Sequence, residues 1–223
     1  MKIITRLAEQ EIFLNMIDRI RWLGHGSFLI EGPPAIYINP WRVLRNPSPP
    51  DVILIGHDHY EHCSPADIDK LRGPHTRVIG SPGVAAAIDG CEVLRPWQSI
   101  TIDRASIKGI PAYSPHDMRH PVEAGGLGFL ISINLYDIYY AGDTGVIPEM
   151  SLLHPDIAIL PIDDNGTMTI EEAAEIARRL QPRWVFPCNW GLSPGTGASH
   201  LDARLFRDSV GDSVEVIIPE QMR

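Results

Sequence analysis

Six consecutive residues, His57-Asp58-His59-Tyr60-Glu61-His62, hold three of the nine histidines of this 223-residue chain. They follow Asp51–Ile55 (DVILI), which reads as a short strand buried on both faces. On an extended backbone, residues two apart project to the same side, so His57 and His59 can grip one ion together. The chain must then turn, because Ser64-Pro65-Ala66-Asp67 supplies an N-cap, a first-turn proline and an acid, and so opens a helix. That turn lets Glu61 and His62 approach the same point from another side. Imidazole and carboxylate ligands suit zinc, iron or manganese in an open hydrolytic site. A metal held there would polarise a carbonyl or phosphoryl oxygen and make water nucleophilic at neutral pH. The competing reading is a polar surface loop, which does not account for three histidines in six positions.

These residues need a scaffold. Arg19–Leu23, Ser27–Glu31 and Ala35–Asn39 read as strands separated by Gly-His-Gly and Gly-Pro-Pro turns. Beyond the helix at Ser64, Val78-Ile79 is a short strand and Pro82–Ile88 a short helix. Val93–Ile102 and Ser106–Ile110 are strand-like. Gly128–Ala141 alternates as a hairpin turning at Asn134–Asp137, and Gly142-Asp143 follows its second strand. Asp156–Pro161 is a buried strand. Thr169-Ile170-Glu171-Glu172 is a capping box opening a helix that Pro182 stops. Trp184–Phe186, a helix from Ser199 and Val214–Ile218 complete the chain. Two strand-rich halves with helices outside give an α/β, four-layer αββα sandwich. Residues 1–223 form one domain, with residues 1–17 as an N-terminal extension carrying Ile4, Leu7, Phe13 and Leu14 unevenly on one helical face.

The histidine run resembles the HxHxDH signature of metallo-β-lactamase-fold proteins, and further motifs follow in order. Trp22–Ile30 (WLGHGSFLI) is similar to the opening WLGHxSFLI motif of the branch holding L-ascorbate-6-phosphate lactonase-like and N-acyl-phosphatidylethanolamine phospholipase D-like hydrolases. Pro111-Ala112-Tyr113 with His120-Pro121, Tyr140–Thr144 with Ile147-Pro148-Glu149, and Met168–Ala174 resemble its later motifs. The resemblance implies a metal site at the edge where two sheets meet. It implies His57, His59 and His120 as ligands of a first metal, Asp143 as a bridge to a second, and His62 at that second site. Glu61 or Asp143 would then orient the attacking water or take its proton. The expected substrate is a small ester, lactone or phosphoester.

Two positions depart from that pattern. The acid of HxHxDH is Glu61 here, one methylene longer. Pro187-Cys188-Asn189-Trp190-Gly191 has Asn189 where the resemblance expects the last metal-binding histidine. A neutral amide is a poor zinc ligand. Cys188 reads as a buried structural thiol facing away, and His200 in the first turn of the last helix is a candidate substitute. One metal, two metals with an unusual ligand, and a degenerate binding module without turnover all stay open; an iron-dependent redox protein ranks third. His25, in a turn, either orients a ligand or substrate or is satisfied by backbone. His116 either points into the substrate cleft or has no role. Asp163 and Asp164 could reach the cleft or be plain turn residues, while His75 and His154 read as solvated.

Bulk properties narrow the partners. A formal net charge of −9 argues against a nucleic-acid backbone as partner. Three widely spaced cysteines suggest a reducing compartment. No stretch approaches the ~20 apolar residues that span a membrane, and Glu9 and Glu11 interrupt any signal-like N-terminus. The expectation is a cytoplasmic, metal-binding hydrolase, zinc first and manganese or iron as alternatives. It would act on a small molecule without nucleic acid or membrane, with a homo-oligomer open.

Overall fold

The computed structural model describes residues 16–43, 48–191 and 198–222. Strands β1 (Ile20–Gly24), β2 (Ser27–Ile30), β3 (Ile36–Ile38), β4 (Val52–Ile55), β5 (Arg77–Gly80) and β6 (Cys91–Val93) form one sheet in chain order. The second sheet holds β7 (Ser99–Ile102), β8 (Ala105–Pro111), β9 (Leu127–Ile133), β10 (Tyr136–Tyr140), β11 (Ile157–Pro161), β12 (Trp184–Cys188) and β13 (Glu215–Val216), again in order. Each sheet is antiparallel over its early strands and parallel from β3 to β6 and from β10 to β13.

The period-two alternation of a strand explains the layers. Val52 and Leu54 of β4 point into the main core, with Ile36 and Ile38 of β3. Ile53, Ile55 and Tyr37 face the other way, against Ile68 and Leu71 of α1 (Pro65–Leu71) and Val84 of α2 (Pro82–Ala87). The main core joins the inner face of the first sheet to Ile107, Phe129, Ile138, Ile159 and Phe186 of the second. It continues to Ala173, Ala174 and Ala177 of α3 (Ile170–Leu180) and Phe206 of α4 (His200–Val210). The arrangement is the expected αββα sandwich.

Local chemistry sets the boundaries. Ser64 accepts from the Asp67 amide at the start of α1, at 3.3 Å. Thr169 and Glu172 close a reciprocal capping box on α3, at 3.1 and 2.9 Å. The hairpin between β9 and β10 turns on Asn134 and Leu135, both at positive φ (51° and 67°), the geometry of a tight two-residue turn. Val93–Ile102 is not one strand: residues 94–98 leave the first sheet, with Trp97 at φ 68°, before β7 starts in the second. Pro96, which cannot donate to a ladder, sits within this crossover. Of the N-terminal extension, Met1–Asn15 lies outside the described residues, and Met16–Arg19 is a 3₁₀ turn. Among the described residues no helix is long and apolar enough to cross a membrane.

Candidate metal centre

Five parallel strand ends meet at one edge of the sandwich, the position where crevices form in parallel sheets. Asn39 follows β3, His57 follows β4 after Gly56, Asp143 follows β10, Asp163 follows β11, and Asn189 follows β12. His25 comes from the β1–β2 turn and His120 from the connection between β8 and β9. His25, Asn39 and Asn189 adopt left-handed backbone conformations (φ 49°, 45° and 61°), which turn each side chain out of its strand direction. Histidine and asparagine are enriched in that region. Gly56 allows the sheets to touch: its carbonyl accepts from the Leu127 amide at 3.0 Å, and a Cβ there would lie 2.4 Å from Leu127 O.

Asp143 is the hub. Its Oδ2 lies 3.1 Å from His62 Nε2, 3.4 Å from His120 Nε2 and 3.7 Å from His57 Nε2. Its Oδ1 accepts from Asn189 Nδ2 at 2.9 Å. Burial alone would raise this carboxyl, but His62, His120 and His57 outweigh it and hold it well below the usual carboxylate range. Burial first, and the neighbouring histidines second, push His57 well below its ordinary value, so its ring stays neutral. His25 falls to about 4, mainly through burial and then through His62. Asp163 rises to about 6, through burial and then the charge of Asp143.

Three ligand groups converge among the described residues: His57, His59 and His120; His57, His62 and Asp143; His25, Glu61 and His62. The first fits a metal best. His120 Nδ1 lies 2.8 Å from Gly166 O, so it donates its hydrogen there and turns the Nε2 lone pair inward. His57 Nε2, His62 Nε2 and His120 Nε2 are all buried without hydrogen-bond partners, and a cation held with His59 would satisfy the first and the last. The His59 ring packs 4.6 Å from His57 and 5.0 Å from His120.

Other sequence candidates fall at the margins. Glu61 joins His25 and His62 rather than His57, His59 and His120. Asn189 approaches the site as a donor to Asp143. His116 is exposed and lines a cavity of about 260 Å³ beside the site, with Arg119, Gly166 and Thr167. His200 is exposed, its ring 5.5 Å from Trp190, and joins none of the three groups. Cys188 is fully buried, and burial pushes its thiol well above its ordinary value. Asp164 is exposed, as are His75 and His154.

Three contributors were given no role by the sequence, although Gly26 and Tyr140 lie within the Trp22–Ile30 and Tyr140–Thr144 motifs. Asn39 is fully buried and contacts His62, Tyr140 and Gly56. Tyr140 donates to Gly26 O at 2.8 Å. Gly26 leaves no room for a side chain, since a Cβ would meet His62 Cε1 at 2.7 Å. For Asn39 the local signal was the Asn39-Pro40 strand end, which does not distinguish a site residue from a turn.

Two face-to-face mixed sheets carrying a histidine–aspartate cluster on their strand ends define an α/β sandwich with a metal-type centre. The chain belongs to the beta-lactamase superfamily domain family, whose model matches residues 19–189. It is 31% identical over 219 residues to a UPF0173 metal-dependent hydrolase of Thermococcus kodakarensis, covering 90% of this chain and 95% of that protein. A crystal structure of a candidate metal-dependent hydrolase from Parabacteroides distasonis superposes with a TM-score of 0.79 and 26% identity, over 92% of this chain and 93% of that one. A metallo hydrolase from Ignicoccus hospitalis shares the fold, with a TM-score of 0.72 and 23% identity, over 92% and 95% of the two chains.

Proposed function

We propose that this chain is a metal-dependent hydrolase of a small ester, lactone or phosphoester, its metal held by His57, His59 and His120 with Asp143 alongside. The observation that carries this reading is the pair of buried, unpartnered nitrogens, His57 Nε2 and His120 Nε2, converging with His59. A divalent metal there supplies Lewis acidity and makes water nucleophilic at neutral pH. The protein's own part is to position and to manage charge. Asp143, kept ionised by its histidines, offers Oδ2 at the centre of the cluster to accept a hydrogen bond and orient the attacking water. Asn189 pins the other carboxylate oxygen, so the acceptor cannot rotate away.

The neighbouring cavity, about 260 Å³, supports a small substrate, because ordinary ligand pockets run from about 300 to 1,000 Å³. Arg119, ion-paired with Asp117, lines both this cavity and the histidine pocket. The kinship with metal-dependent hydrolases favours turnover over a degenerate binding module. The test is a panel of aryl esters, lactones and phosphodiesters run on chelated protein and on protein resupplied with zinc or manganese. Hydrolysis that returns with metal and is lost in His57→Ala/His59→Ala supports the reading. Metal binding without turnover across the panel would favour the binding module.

A further inference from the structure

We propose that Asn39 fixes His62 as a hydrogen donor, so that its inward nitrogen presents a hydrogen rather than a lone pair to a metal and the centre holds one ion rather than two. The inference rests on the metal-centre reading above and adds the number of ions and the roles of Asn39 and His62.

The argument follows the direction of each hydrogen. The backbone N–H of Gly56 donates to Asn39 Oδ1 at 2.9 Å, and a backbone N–H cannot accept. That bond fixes which end of the amide is oxygen. A reversed amide would set two donors against each other in a buried site, the kind of unmade bond folded proteins avoid. Asn39 Nδ2 therefore presents its two hydrogens to Tyr140 OH at 2.9 Å and to His62 Nδ1 at 3.0 Å. Tyr140 passes its own hydrogen to Gly26 O at 2.8 Å, which leaves its oxygen free to accept. Every link in the chain runs one way.

Its last link decides the ring. A nitrogen that accepts from an amide carries no hydrogen, so neutral His62 carries its hydrogen on Nε2. This is the atom 3.1 Å from Asp143 Oδ2, close to that oxygen without being aligned for a hydrogen bond to it, and it faces the space a second ion would occupy. His120 is built the opposite way, with Nδ1–H given to Gly166 O and a lone pair turned inward. One ring is prepared as a ligand and the other as a donor. Two of the three ligand groups, His57–His62–Asp143 and His25–Glu61–His62, depend on His62 and close together. Asn189 completes the closure, because its amide donates to Asp143. His62 is thus a positioning residue beside the acceptor carboxylate.

Nitrogen NMR of ¹⁵N-histidine-labelled protein reads the tautomer directly, with and without zinc. The expected result is an unprotonated Nδ1 and a protonated Nε2 for His62, beside about one zinc per chain after desalting. Asn39→Asp replaces the donor with an acceptor and should reverse the His62 tautomer. Asn39→Asp/Asn189→His should then raise zinc to about two per chain, while Asn189→His alone stays near one. A protonated Nδ1 in the wild type overturns the inference, and so does a second equivalent of zinc there. Either result leaves the metal-centre reading standing. Failure of the wild type to retain any zinc overturns that reading instead, and the apoprotein spectrum still decides the tautomer. The wild-type measurements suffice if the variants do not fold.

Discussion

Asn189 Nδ2 donates to Asp143 Oδ1 at 2.9 Å, on the oxygen opposite the one that faces His62, His120 and His57. The carboxylate is thereby held from both sides, and its orientation comes from a residue that contributes no imidazole of its own. Removing a partner that orients a group beside a metal typically costs about 10–100-fold in metal affinity or activity. Asn189→Gly deletes the amide and tolerates the positive φ of 61° without strain. Competition against a chromophoric chelator should show zinc affinity falling by about that factor, and urea denaturation should show a loss of about 1–3 kcal/mol, because Asp143 Oδ1 is left buried without its donor.

Gly26 packs where the two sheets meet over the site. A Cβ built there would lie 2.7 Å from His62 Cε1, 2.9 Å from Asn189 Oδ1 and 3.0 Å from Tyr140 OH. None of these atoms is the free end of a flexible chain, since each is buried in the network just described. Gly26→Ala should destabilise the apoprotein by about 1–3 kcal/mol, the usual cost of overpacking a tight interior. Urea denaturation with an unchanged m-value checks it, and the variant should also bind zinc more weakly.

Asp163 gives a pH signature. Its carboxyl is raised to about 6 in the folded chain, from an unfolded value of 3.8, by burial and by Asp143. Between those two values the folded state binds a proton that the unfolded state does not. Its contribution is therefore fully present below 3.8 and is lost as pH rises through 6. Asp163→Asn, which can still accept from Thr167, should gain on the wild type as pH rises from 5 to 7.5, by about 1–3 kcal/mol at the upper end. Denaturation of the two metal-free proteins at several pH values measures the difference. A gain that shrinks with rising pH would show that Asp163 is not desolvated in this way.

Much of this architecture is local, and local features were readable. The capping box at Thr169, the helix start at Ser199, the Ser64 cap and the alternation of β9 and β10 each depend on residues a few positions apart. The histidine run was legible because one strand end delivers His57, His59 and His62 together. What escaped was carried by tertiary contact. Asn39 reaches His62 across 23 positions and Tyr140 across 101, and nothing near Asn39 in sequence announces either partner. The break between β6 and β7 was hidden because apolar residues flank Pro96 on both sides. Resemblance suggested a second metal at His62, and His57, His62 and Asp143 do converge there; the Asn39 contact that bears on its occupancy is a tertiary one.

The central claim is that a metal sits between His57, His59 and His120. Crystals of zinc-loaded protein, measured on both sides of the zinc absorption edge, test it most directly. The account predicts one anomalous peak at roughly 2.0–2.1 Å from His57 Nε2, His120 Nε2 and a ring nitrogen of His59. A peak between His25, Glu61 and His62, or no peak at full zinc occupancy of the solution, would contradict it.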